Sequence, residues 1–261
     1  MPSPLVEVQP ENPRSTPAAQ RVLLIVPHPD DESYGGAGSL ARLGADPDTS
    51  VSMLFLTSGE AATIGKERGI PPRELATMRE GRCARVRDRL GLDRLFFARL
   101  PDGQLSHRPI DELVTAIDAA LEATDPHVVV GHDPRGVNAH PDHIASHWGI
   151  RTSLRANARS VVRWVQFAHD QESVEAAAPR LLFATPEDRI HCSITFDERE
   201  AELKEACLLE HEAVVTILPE VAEAEGKILR PPREDWEFFG EAPGASFAGW
   251  FDRLPERLAS I

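Results

Sequence analysis

The chain has 261 residues, enough to bury a sizeable core, and one decorated α/β domain is expected over residues 21–261. A formal net charge of −14 argues against nucleic acid, which is held by clustered Lys and Arg, and against an anionic membrane surface. The apolar stretches are strand-length, so no membrane insertion is expected, and the three scattered cysteines, Cys83, Cys192 and Cys207, suit a reduced cytoplasm rather than a disulfide framework or a zinc ribbon.

Residues 1–20 are rich in Pro, Glu and Ser, lack the basic-then-apolar pattern of a secretory signal, and are expected to form a loose tail. Residues 22–26 read as a buried strand, and the polar run His28-Pro29-Asp30-Asp31-Glu32 follows directly. A short helical pattern begins at 39–43, and a second strand is expected at 51–56. The stretch 73–90 is a long helix closed by Gly91. A strand at 95–98 precedes a helix at 110–123, where Leu113, Ile117 and Leu121 recur every four residues. The strand at 128–131 is followed by His140-Pro141-Asp142-His143 and by a helix over 144–154. Strands at 162–168 and 190–196 and a helix at 198–210 come next, and the Pro-rich stretch 219–244 reads as an ordered loop or lid. This β-α-β-α alternation predicts right-handed crossovers and a Rossmann-like, mostly parallel twisted sheet with flanking helices. In such sheets ligands bind at the carboxyl ends of the strands, where both polar motifs fall.

The first motif carries metal chemistry. His28 and Asp31 offer ordinary Zn²⁺ ligands, and the adjacent Asp30 points elsewhere, so one carboxylate can bind metal while the other faces the attacking water. Pro29 stiffens the turn, and Glu32 either orients a ligand or caps the following helix. The plain alternative is an Asp-rich helix-capping turn, which the preceding His28 and the strand-end position disfavour. His143 completes a set of two His and one Asp with an open position. His140 can serve as general acid or oxyanion donor, and Asp142 can fix the tautomer of a neighbouring ring. His147, one turn after His143, is the rival ligand; its plain reading is a packed helical His.

The runs Val26-Pro27-His28-Pro29-Asp30-Asp31-Glu32, Thr57-Ser58-Gly59-Glu60 and Gly131-His132-Asp133-Pro134-Arg135-Gly136-Val137-Asn138-Ala139-His140-Pro141-Asp142-His143 resemble the LmbE-like family. That family includes zinc-dependent N-acetylglucosaminyl deacetylases acting on GlcNAc-phosphatidylinositol and on mycothiol and bacillithiol precursors. The resemblance implies one Zn²⁺ per chain, other divalent ions being possible, with ligands His28, Asp31 and His143, base Asp30, and an acid or oxyanion role for His140. It implies sugar-gripping roles for Arg79 and Asp102. The family's late His is present as His211 but lacks the usual Ser-Gln after it, so a substrate-wall role for His211 is a weaker inference. The expected reaction is removal of an acetyl or short acyl group from a small GlcNAc conjugate. A glycopeptide-antibiotic aglycone and a GlcNAc-inositol thiol precursor fit equally, with Trp236, Phe238 and Phe239 as an apolar wall for a bulky aglycone.

Two other classes are weighed. Gly36-Ala37-Gly38-Ser39-Leu40-Ala41 fits a dinucleotide fingerprint, but the whole first motif separates it from the strand, and small residues there suit close helix packing. A non-catalytic sugar-binding relative would need neither Asp30 nor His140.

Overall fold

Val6, Glu7 and Val8 alternate apolar and polar side chains, and they form the first strand, β1 (Val6–Val8), at one edge of the sheet. Next come β2 (Gln20–Val26), α1 (Asp31–Ala45), β3 (Thr49–Phe55), α2 (Thr63–Arg68), α3 (Pro72–Leu90) and β4 (Arg94–Phe97). The middle of the chain holds α4 (Ile110–Thr124), β5 (Val128–Gly131), the kinked turn α5 (Gly136–Ala139) and α6 (Pro141–Asn157). Then follow β6 (Arg163–Ala168), α7 (Gln171–Ala176), β7 (Cys192–Thr195), α8 (Glu198–Glu210) and β8 (Arg233–Phe238). The structure, a computed structural model, describes residues 3–9, 18–157, 160–176, 181–211, 233–255 and 258.

The described strands form one eight-stranded sheet in the order β1-β4-β3-β2-β5-β6-β8-β7. Its centre, β4-β3-β2-β5-β6, is parallel throughout; β1 and β8 pair antiparallel with β4 and β6, and β7 antiparallel with β8. Alternating side chains divide the core into two layers. Val22, Leu24 and Val26 pack with Leu40 and Val86 on one face, while Leu23 and Ile25 pack with Leu113, Ile117 and Ile150 on the other. From β2 the chain winds outward through β3 and β4, then returns to the other side of β2 with β5. The β2–β5 junction is therefore the switch point of the sheet, where its carboxyl rim opens into a crevice.

Three expectations are corrected. The tail is not wholly loose: the open edge of β4 accepts β1, and Arg94 pairs with Glu7 at 2.7 Å. The first helix starts at Asp31, not Ser39, because its glycines hide the apolar period while letting the helix lie close to its neighbours. A Cβ on Gly35 would come within 2.7 Å of the Phe167 ring, and one on Gly38 within 2.6 Å of Phe196. Of the expected lid, 219–232 lies outside the described residues, and 233–238 is a sheet strand. Trp236 and Phe238 are fully buried there, Trp236 against Phe167 and Trp250, so Trp236 cannot wall a substrate.

Candidate active site

The turn after β2 delivers His28, Asp30 and Asp31 to the crevice, and α6 delivers His143 from the β5 side. Asp31 sits between them. Its Oδ2 lies 3.5 Å from His28 Nδ1 and its Oδ1 3.3 Å from His143 Nε2, while the His28 backbone N–H donates to Oδ2 at 2.8 Å. Burial opposes ionisation of Asp31, but the adjacent His143 and His132 imidazoles outweigh it and hold the carboxyl well below its usual range.

Each ligand candidate has a fixed orientation. His143 Nδ1 lies 3.2 Å from the Gly136 carbonyl; donating there leaves the Nε2 lone pair free to ligate an ion on the Asp31 side. Gly136 adopts a left-handed conformation (φ 64°), and a Cβ would approach His143 and Ile144 to about 3 Å, so only glycine suits this contact. His28 Nε2 faces two carboxylates, Asp102 and Asp142, each at 3.3 Å. Burial disfavours a charged His28, yet these two and Asp31 raise its pKa well above the ordinary value. Asp142 is fully buried and also accepts the Leu105 N–H at 2.9 Å, so the ring it orients is His28, not His140 or His143.

Asp30 is clamped. It holds φ 121°, which side-chain-bearing residues rarely adopt, and its carboxylate lines the cavity. The Arg79 Nη2 donates to Asp30 Oδ2 at 2.9 Å and to the Pro29 carbonyl, and Nη1 donates to the Gly59 carbonyl at 2.9 Å. Burial raises the Asp30 pKa, and Arg79 opposes it. Arg79, expected to grip sugar, thus has its guanidinium engaged on the turn of the first motif, although it still reaches the cavity wall. Asp102 also lines the cavity, with Oδ2 accepting the Ala61 N–H at 2.8 Å. Glu32 touches no ligand ring; its Oε2 accepts the Asp30 N–H at 2.9 Å. His211 is corrected: it is 1% exposed, lies behind the turn and bonds to Glu32 at 2.6 Å, so it forms no substrate wall.

His140 lies across the cluster, its ring 4.8 Å from His28 and 4.7 Å from His143. Burial, with His143 and His28 nearby, lowers its pKa. His147 takes its plain reading: its Nδ1 faces the His132 carbonyl at 3.0 Å and its ring packs on Trp164. Sequence reasoning gave His132 no role, yet it is buried in the cavity wall, stacked 4.0 Å from His143, with Nε2 3.9 Å from Asp31. Its position immediately after β5, the counterpart of His28 after β2, was the available signal. His28, His140 and His143, and likewise Asp31, His132 and His143, place donor atoms within 4.8 Å of one another. The cavity measures about 690 Å³, and Tyr34, Val137, Phe167, Leu181 and Leu182 supply its less polar walls.

A mostly parallel sheet with a His/Asp cluster of metal-binding character at its switch point defines the class. Residues 23–153 match the family model described as PIG-L, GlcNAc-PI de-N-acetylase, and the chain belongs to that family. A probable N-acetyl-alpha-D-glucosaminyl L-malate deacetylase 2 of Bacillus anthracis is 30% identical over 161 residues, covering 59% of this chain and 69% of that protein. A 1D-myo-inositol 2-acetamido-2-deoxy-alpha-D-glucopyranoside deacetylase of Rhodococcus erythropolis is 30% identical over 171 residues, 55% of each chain. The chain thus spans about half the length of the inositol-type relatives it matches. Among solved structures, the zinc-inhibited form of teicoplanin deacetylase Orf2 superposes with a TM-score of 0.64 at 14% identity, over 84% of this chain and 97% of that one. At that identity the likeness speaks for the fold.

Proposed function

We propose that this chain is a zinc-dependent amide hydrolase that removes an acetyl or short acyl group from a small GlcNAc conjugate. The observation that carries the reading is Asp31 set between His28 and His143, with the Asp30 carboxylate beside them in the same cavity. Two imidazoles and one carboxylate are a donor set suited to Zn²⁺ and leave room for water and substrate, as catalytic rather than structural zinc requires. His28, Asp31 and His143 would hold the ion, which when bound polarises the amide carbonyl and makes water acidic enough to deprotonate near neutral pH.

The remaining steps belong to the protein. Asp30 accepts the proton of the attacking water at its carboxylate, and Arg79 favours the ionised form needed for this. His140, whose pKa is lowered by burial and its His neighbours, donates an N–H to the oxygen that gains charge as the amide carbonyl is attacked. Asp30 then carries its proton to the departing amine. Asp142 and Asp102 hold the His28 ring throughout. The dinucleotide reading finds no support, since the Gly36–Gly38 region packs under Phe167, Trp236 and Phe196.

The names of the relatives support a GlcNAc conjugate as substrate, and the teicoplanin deacetylase likeness keeps a glycopeptide-antibiotic aglycone beside the inositol-type thiol precursor. Among the described residues no helix is long and apolar enough to cross a membrane. A cytoplasmic setting is part of the proposal, supported by three free, buried thiols. Acetate release should be measured from GlcNAc-malate, GlcNAc-inositol, a GlcNAc-bearing glycopeptide, free GlcNAc and chitin. Turnover of a conjugate well above free GlcNAc and chitin is expected; equal activity on the polymer, or none on any member, overturns the proposal.

A further inference from the structure

Beneath the cavity lies a buried pair that the proposed chemistry does not use. His211 caps the C-terminal end of α8, and Glu32 sits in the first turn of α1; they are 1% and 0% exposed. His211 Nε2 lies 2.6 Å from Glu32 Oε1. The other oxygen of that carboxylate, Oε2, accepts the backbone N–H of Asp30 at 2.9 Å. Asp30 is the residue whose φ of 121° needs its surroundings to impose it. A carboxylate without donors is costly in such an interior, and at Oε1 the His211 ring nitrogen stands beside the Ser33 hydroxyl, which donates to the same oxygen at 2.8 Å.

Cys83 joins Glu32 and His211 in a triad with donor atoms within 4.8 Å, which raises the question of a second metal. The 2.6 Å separation answers it. Nitrogen and oxygen that both ligate zinc, at ~2.0–2.2 Å each and near-tetrahedral angles, stand roughly 3 Å or more apart. At 2.6 Å they share a proton instead.

We propose that His211 is a positioning residue for the catalytic base: acting through Glu32, it fixes the Asp30 backbone in the one conformation that presents the Asp30 carboxylate to the cavity. This rests on the reading of Asp30 as base. The last third of the chain then supplies part of the catalytic geometry without touching substrate.

The test compares His211→Leu, which removes the donor, with His211→Gln, which keeps an N–H within reach of Glu32. Acetate release is followed on whichever GlcNAc conjugate of the panel above is turned over fastest, alongside bound metal. In the Leu variant kcat should fall about 10- to 100-fold, as expected when a reacting group is misplaced by a fraction of an ångström to an ångström. KM should stay within about twofold and metal content should be retained, and His211→Gln should recover most of kcat. Wild-type kcat in His211→Leu, equal loss in Leu and Gln, or loss of metal in step with activity each overturns the inference. If His211→Leu does not fold, Glu32→Gln carries the test, because either the Asp30 N–H at one oxygen or His211 and the Ser33 hydroxyl at the other then meet an amide N–H instead of an acceptor. A selective kcat loss with metal retained supports the proposal there, and unchanged kcat overturns it. Asp30→Asn, run in parallel, separates the two readings: near-normal rates in that variant condemn the base assignment itself, whereas an inactive Asp30→Asn beside a normal His211→Leu condemns only the relay.

Discussion

Lys204 of α8 and Glu234 of β8 meet at 2.6 Å inside the protein, 1% and 6% exposed, and both also reach into α1. The Lys204 ammonium donates to the Ser33 and Tyr34 carbonyls, and the Glu234 carboxylate accepts the Gly38 and Ser39 N–H groups. The pair therefore joins two late elements to the helix that begins at Asp31. Removing one partner strands a buried charge, so Lys204→Met should cost about 3–5 kcal/mol. Urea unfolding followed by circular dichroism measures this; a cost below 1 kcal/mol would show that the pair is replaceable.

Metal content should separate the two imidazoles that face Asp31 Oδ1. His143→Ala is expected to lose most bound zinc, because His143 Nε2 faces Asp31 Oδ1 at 3.3 Å with its tautomer set by Gly136. His132→Ala should keep most of it, His132 standing 3.9 Å from the same oxygen. Elemental analysis after desalting reads both, and the reverse order would reassign the ligand.

Asp30→Asn keeps the size of the side chain and the metal but cannot take a proton from water. Turnover should drop by about 10²–10⁴, the usual span for a general base, with zinc content unchanged. His140→Ala should lower kcat more than it changes KM, since its N–H acts on charge that develops only during reaction. Steady-state kinetics on the best conjugate decide both.

Burial pushes the Cys192 thiol up to about 11 and Cys207 up to about 12, from an ordinary value of 9.0, and all three thiols are buried. Native protein should therefore resist thiol reagents at pH 8, and denatured protein should release three thiols. These groups are protonated in the fold at pH values where they ionise in the unfolded chain. Their contribution to stability is complete below about pH 9 and is lost as pH rises toward 11–12. Thermal melts from pH 8 to 11 check the sign; a rising melting temperature would contradict it.

The motifs that build the cavity were legible because they are local. His28 to Glu32 and His140 to His143 are short runs at strand ends, and a parallel sheet places all such ends on one rim. The parallel strands and the long helices were legible for the same reason, their apolar period being contained within each segment. What stayed hidden depends on long-range pairing. Nothing near Trp236 announces that 233–238 pairs antiparallel with both β6 and β7, which is why an aromatic run resembled a substrate wall. The partners of Arg79, His211 and Lys204 lie about 50, 180 and 30 residues away along the chain, too far for any spacing rule to connect them. His132 stands outside both short polar motifs, and a single histidine in a strand-end loop carries no spacing that marks it as a ligand.

All the cavity residues proposed to act on substrate lie before position 153, yet Lys204, His211 and Glu234 grip the helix on which two of them depend. The stretch recognisable as the family is therefore not a portable cassette. Transplanting it onto another carboxyl-terminal half, or trimming the chain after β6, would carry every reactive group across and leave the turn bearing Asp30 and Asp31 without its rear supports. In an experiment that recombines relatives, the segments free to be exchanged are those that never reach back to α1.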